Sequence, residues 1–125
     1  MFGNRFQQDF IMRQIELIAR YIAESVFKKK STEYKIIEKE NLSDTDKLHN
    51  KLVNLINENK INEAEDLLFD SLDLDNKKYL EVAIDFYARL TKLDDATLEL
   101  NDFTKEEIAE GLADVSNKYG IVINA

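Results

Sequence analysis

The chain has 125 residues, no cysteine and a formal net charge of −8. A length of this order suits one domain able to bury a core of its own, and the absence of cysteine excludes disulfides and thiolate metal sites. The acidic balance argues against a nucleic-acid partner, because such binding relies on neutralising phosphates with cations.

The charge is unevenly spread. Residues 1–30 hold six Lys/Arg against Asp9, Glu16 and Glu24, a net of +3, which leaves −11 for the remainder. Proline is absent and glycine occurs only at Gly3, Gly111 and Gly120, a composition that favours an all-α fold. No stretch approaches the ~20 apolar residues of a membrane span. The opening "MFGNRFQQDF" lacks the basic start, apolar run and small-residue cleavage site of a secretory signal, so the expected location is the cytoplasm.

In chain order, the first predicted element is a long helix over 8–28. At 100° per residue, Ile11, Ile15, Ile18, Ile22 and Val26 fall within an arc of roughly 80°. Phe10, Leu17 and Tyr21 widen this stripe on one flank, and Met12, Ala19 and Ala23 widen it on the other. The apolar arc then reaches roughly 240°, against the ~100° or more of a surface helix resting on one core. So wide a surface predicts enclosure on at least two sides. "FKKK" at 27–30 places cations where they offset the dipole at a helix C-terminus.

Residues 29–43 read as a connector, with a short helix holding Tyr34, Ile36 and Ile37. Ser43 or Asp44 caps the next predicted helix, 45–58, whose inward face is Leu48, Leu52, Leu55 and Ile56. After "NENK", a helix over 62–73 carries Ala64, Leu67, Leu68 and Leu72, and so short a connection predicts an antiparallel hairpin. A strongly amphipathic helix follows at 77–92, with Tyr79, Leu80, Ala83, Phe86, Tyr87 and Leu90 at intervals of three and four. One helical turn fits within 94–102. "TKEE" then offers a capping box, with Thr104 at the N-cap and Glu107 three residues on. The last helix runs through Ile108, Leu112, Val115 and Tyr119 to Gly120, which stands where a left-handed residue is wanted. The expected architecture is one helical domain over 1–125: about five helices, a long N-terminal one followed by two antiparallel hairpins over 43–121.

Within the first hairpin, "LHNKLVNLINENKINEAEDLLFDSL" places Leu48, Leu52 and Leu55 on one helix and Ala64, Leu68 and Ser71 on the next. This spacing resembles a tetratricopeptide repeat, without its usual tryptophan, glycine and proline. The stretches "DFIMRQIELIAR", "INEAEDLLFDSL" and "FTKEEIAEGL" together resemble a family of small uncharacterised all-helical proteins of low-GC Gram-positive bacteria. That resemblance implies a helical fold, and it brings no catalytic residue with it.

No chemistry-bearing constellation stands out. His49 is the only histidine, with Asp46 one turn before it, whereas a dimetal site in a bundle wants two Glu-x-x-His pairs. The carboxylates Glu63, Glu65, Asp66 and Asp70 alternate with leucines on amphipathic helices and read as a solvated face. Three isolated glycines make no phosphate cradle, and no serine lies in an elbow motif. The chain is read as non-enzymatic, with no cofactor and no metal.

The functional reading therefore rests on the first helix. Its surface could be covered by its own domain, by a second protein chain, or by an anionic membrane surface meeting Arg13, Arg20 and Lys28 to Lys30. The expectation adopted is a protein–protein interaction module that forms a homodimer. Phe10, Ile11, Ile15, Ile18, Ile22 and Val26 are its interaction residues, and Tyr79, Phe86 and Tyr87 line a groove for a peptide ligand. A peripheral membrane-surface protein is the alternative, and a small-molecule or metal-binding bundle ranks third.

Overall fold

The computed structural model describes the backbone of residues 2–121 and the side chains of residues 9–121. The described residues contain six helices: α1 (Phe2–Phe27), α2 (Asp44–Asn57), α3 (Ile61–Ser71), α4 (Lys77–Leu90), α5 (Asp95–Leu100) and α6 (Lys105–Lys118). No strand occurs among the described residues. The all-α expectation holds, and the single turn foreseen within 94–102 is the six-residue α5.

Helix starts follow side-chain chemistry. Ser43 Oγ accepts a hydrogen bond from the Asp46 N–H while the Asp46 carboxylate accepts one from the Ser43 N–H, a complete capping box on α2. Asn76, Asp94 and Thr104 cap α4, α5 and α6 from one side only, each side chain accepting from a backbone N–H. At Thr104 the predicted box is only half made, because Glu107 receives the threonine hydroxyl and not the backbone N–H.

Three of the helices, α2, α5 and α6, end on one device. Gly120 has φ of 75°, and the N–H groups of Gly120 and Ile121 bond back to Asn117 and Ser116, the six-to-one and five-to-two bonds of a Schellman ending. The same pair of bonds closes α2 through Asn59 (φ 60°) and α5 through Asp102 (φ 51°). Asn and Asp tolerate the left-handed region better than other side chains, so a glycine-poor chain still turns sharply. α3 lacks a side-chain cap from Lys60. Its first N–H, on Ile61, donates instead to Asn101 Oδ1 at 3.1 Å, at the end of α5.

α2 and α3 pack as a hairpin through residues 58–60, α1 packs against α4 and α6, and α4 also contacts α2 and α6. α4 is therefore the central helix. Leu80, Val82, Ala83, Ile84, Phe86, Tyr87, Ala88 and Leu90 are all buried; the helix is amphipathic as expected, with Val82, Ile84 and Ala88 widening the buried surface beyond the predicted face. The core is one cluster to which every helix contributes, together with Tyr34 and Phe103.

Two further expectations are corrected. Residues 29–43 form no helix; they run as an irregular strap in which Tyr34 is buried and Ile37 is 86% exposed. Nor does the chain enclose α1 on two sides. Only one flank meets the body, because α4 occupies the middle position.

Candidate interaction surface

The face of α1 turned to the core comprises Met12, Ile15, Ala19, Ile22 and Ala23, all buried against α4 and α6. On the opposite side Phe10, Leu17 and Tyr21 are 57%, 56% and 61% exposed. With Gln14 between them these positions follow a 4–3–4 spacing, which aligns side chains in one stripe along a helix. Ile11 and Ile18 lie between the two faces and are half-buried. They form one wall of an apolar groove of about 380 Å³ between α1 and α6, opposite Ala109, Leu112 and Ala113. Glu106 and Glu110 stand exposed on its α6 side. Arg13 and Arg20 flank the stripe on its other edge, both exposed, and neither forms an ion pair with a described residue. The apolar band thus lies between an edge carrying Arg13, Arg20 and the exposed Glu24 and an edge carrying Glu106 and Glu110.

The residues expected to mediate interaction are divided by the structure. Phe10 is on the open face; Ile11, Ile18 and Val26 are half-buried; Ile15 and Ile22 are in the chain's own core. Leu17 and Tyr21 belong to the open face and were not in that set, although their 4–3–4 register with Phe10 and Gln14 is visible in the sequence. Of the aromatic residues assigned to a groove, Tyr79 is half-buried, whereas Phe86 and Tyr87 are fully buried and pack edge to face at 5.0 Å between centroids.

Two polar clusters lie deeper. The strap is held by Tyr34: its N–H donates to Asp85 Oδ2 at 2.9 Å, and its hydroxyl donates to Asp46 Oδ1 at 2.6 Å. The Tyr34 ring lies over His49, 5.0 Å between centroids, and His49 Nδ1 is 3.5 Å from Asp85 Oδ1. Arg89 Nε donates to the same Asp85 oxygen. Burial pushes the His49 pKa below its usual value, with Asp85 opposing the shift and Arg89 reinforcing it. The Tyr34 hydrogen bond holds Asp46 below the usual carboxylate range, helped by the Ser43 N–H. Asp46 and His49, noted in sequence as neighbours on one turn, are thus parts of a strap anchor.

In the second cluster, the Tyr87 hydroxyl donates to Glu65 Oε2 at 2.7 Å, tying α4 to α3 beside Gly111 of α6. Burial raises the Glu65 pKa, the Tyr87 hydrogen bond opposes this, and Glu107, Asp66 and Asp114 add repulsion. No described helix is long and apolar enough to cross a membrane.

A family of unknown function, DUF6483, matches residues 5–120. The chain belongs to that family. Neither the search of curated proteins nor that of solved structures found a match.

Proposed function

We propose that this protein is a non-enzymatic, cytoplasmic interaction module that associates with a second copy of itself through α1. The observation carrying this reading is the open stripe of Phe10, Leu17 and Tyr21, each more than half exposed on the side of α1 facing away from the core. A wide apolar helix covered on one side only leaves a contact to be made. The body behind it is the α2–α3 hairpin, with its tetratricopeptide-like spacing, braced by α4. An aromatic peptide groove gains no support, since Phe86 and Tyr87 are closed inside.

Covering the exposed parts of three such side chains on each of two copies contributes roughly 6–9 kcal/mol. Association costs on the order of 4–15 kcal/mol in lost freedom. The stripe alone only about balances that cost, so a reversible dimer needs the adjoining α1–α6 groove to add to it. Sedimentation of the full chain from about 1 to 500 µM tests the reading. The expected result is a concentration-dependent dimer that Leu17→Glu converts to a monomer of unchanged helicity, because Leu17 is not part of the core. A wild-type monomer throughout that range refutes self-association, and a Leu17→Glu dimer of undiminished strength refutes the use of α1.

A further inference from the structure

We infer that two copies pair with their α1 helices parallel, about a two-fold axis running along the stripe, an orientation that rests on the self-association just proposed. The spacing of Phe10, Gln14, Leu17 and Tyr21 is that of the alternating core positions of a heptad, Phe10 and Leu17 at d, Gln14 and Tyr21 at a. The assignment covers residues 10–22, because the next d position is the exposed Glu24. The positions opposite the seam hold Met12, Ile15, Ala19 and Ile22, which are the residues buried in the chain's own body. The positions beside it are chemically unlike: g holds Arg13 and Arg20, while e holds Ile11 and Ile18, backed by the groove and by Glu106 and Glu110.

That asymmetry selects the orientation. In a parallel pair the g edge of one helix faces the e edge of the other, whereas in an antiparallel pair g faces g and e faces e. The antiparallel arrangement would set four arginines against one another and four glutamates against one another, and like charges across an interface are unfavourable. The parallel arrangement brings Arg13 and Arg20 of each copy to the partner copy's α6 carboxylates. The apolar groove beside Ile11 and Ile18 then faces the partner's g side, where Phe10 and Leu17 can fill it. Gln14 meets its own equivalent across the axis, and a polar residue at a core position is a known means of setting register; the seam ends before Glu24.

Because the chain has no cysteine, single substitutions report the geometry without background. Phe10→Cys, Gln14→Cys and Tyr21→Cys are made separately in the full chain and oxidised mildly, with exposed Asn117→Cys as the collisional reference. Phe10 and Tyr21 are eleven residues apart, about 16 Å along a helix, whereas a disulfide needs Cα atoms roughly 4–7 Å apart. Parallel pairing predicts that each of the three links to itself at least ten-fold faster than the reference. It also predicts that mixing Phe10→Cys with Tyr21→Cys gives no mixed product.

Mixed product without self-linked product means antiparallel pairing, which overturns the orientation and leaves self-association standing. Linking no faster than the reference, in a chain that sedimentation shows to be dimeric, overturns the α1 interface. If the chain is instead monomeric, the underlying reading fails as well. Charge reversal gives a second arm. Arg13→Glu/Arg20→Glu and Glu106→Lys/Glu110→Lys should each raise the dissociation constant at least ten-fold, and mixing the two should restore pairing. Two undiminished homodimers, or no recovery on mixing, would overturn the proposed charge pairing.

Discussion

Gly111→Ala sets two effects of opposite sign against each other, and the structure decides between them. Gly111 lies in the interior of α6, where replacing glycine by alanine normally stabilises a helix by about 1 kcal/mol. A Cβ at this position, however, would overlap the Tyr87 hydroxyl and ring edge and the Glu65 carboxylate. Tyr87 is fully buried and cannot swing aside, so the overpacking costs about 1–3 kcal/mol. Displacing the Tyr87–Glu65 hydrogen bond, whose acceptor is a carboxylate, costs about 1.5–3 kcal/mol more. The net expectation is a loss of about 2–5 kcal/mol, read by urea denaturation as a midpoint lower by roughly 1–3 M. Tyr87→Phe removes the most crowded atom, so Gly111→Ala should cost less in that background, and the double-mutant cycle should show favourable coupling. A Gly111→Ala midpoint equal to or above that of the wild type would refute the close approach of α3, α4 and α6 at this point.

Other expectations follow from neighbouring features. His49 is held neutral by burial, so its folded pKa lies below the usual value; its contribution to stability is complete above about pH 6.5 and is lost as pH falls through the folded value. Thermal melts between pH 7.5 and 5 should show that loss, and His49→Asn should flatten it. Asn101→Ala leaves the fully buried Ile61 N–H without an acceptor and should cost about 1–3 kcal/mol in urea titrations. Ile15→Glu/Ile22→Glu places two carboxylates in the core and should abolish the folded far-ultraviolet spectrum, whereas Leu17→Glu should not.

Much of the fold was legible because helix signals here are local. Ser43, Thr104 and Gly120 marked boundaries that the structure keeps within a residue or two, since capping depends on a few neighbouring atoms. Asn59 and Asp102 were harder, because either residue also occurs in ordinary loops, and only backbone geometry shows the left-handed turn. Tyr34 misled: its spacing with Ile36 and Ile37 suggested a helix, but the strap is set by distant partners, Asp85 fifty-one residues away among them. The same limit applies to α1. Periodicity gave its apolar width but could not tell which flank met the body. That depended on α4 taking the centre, with Val82, Ile84 and Ala88 using the sides that would otherwise have been free.

The acceptor that Asn101 lends to Ile61 reaches back forty residues, from the end of α5 to the start of α3, and Asn62 Nδ2 returns the exchange by donating to the Asn101 carbonyl. A hairpin that borrows its beginning from a later segment is not a self-contained brick. Copies of α2–α3 strung end to end would each lack that acceptor, so lengthening by simple duplication, the route open to solenoid proteins, is barred to this chain unless α5 is copied along with the pair.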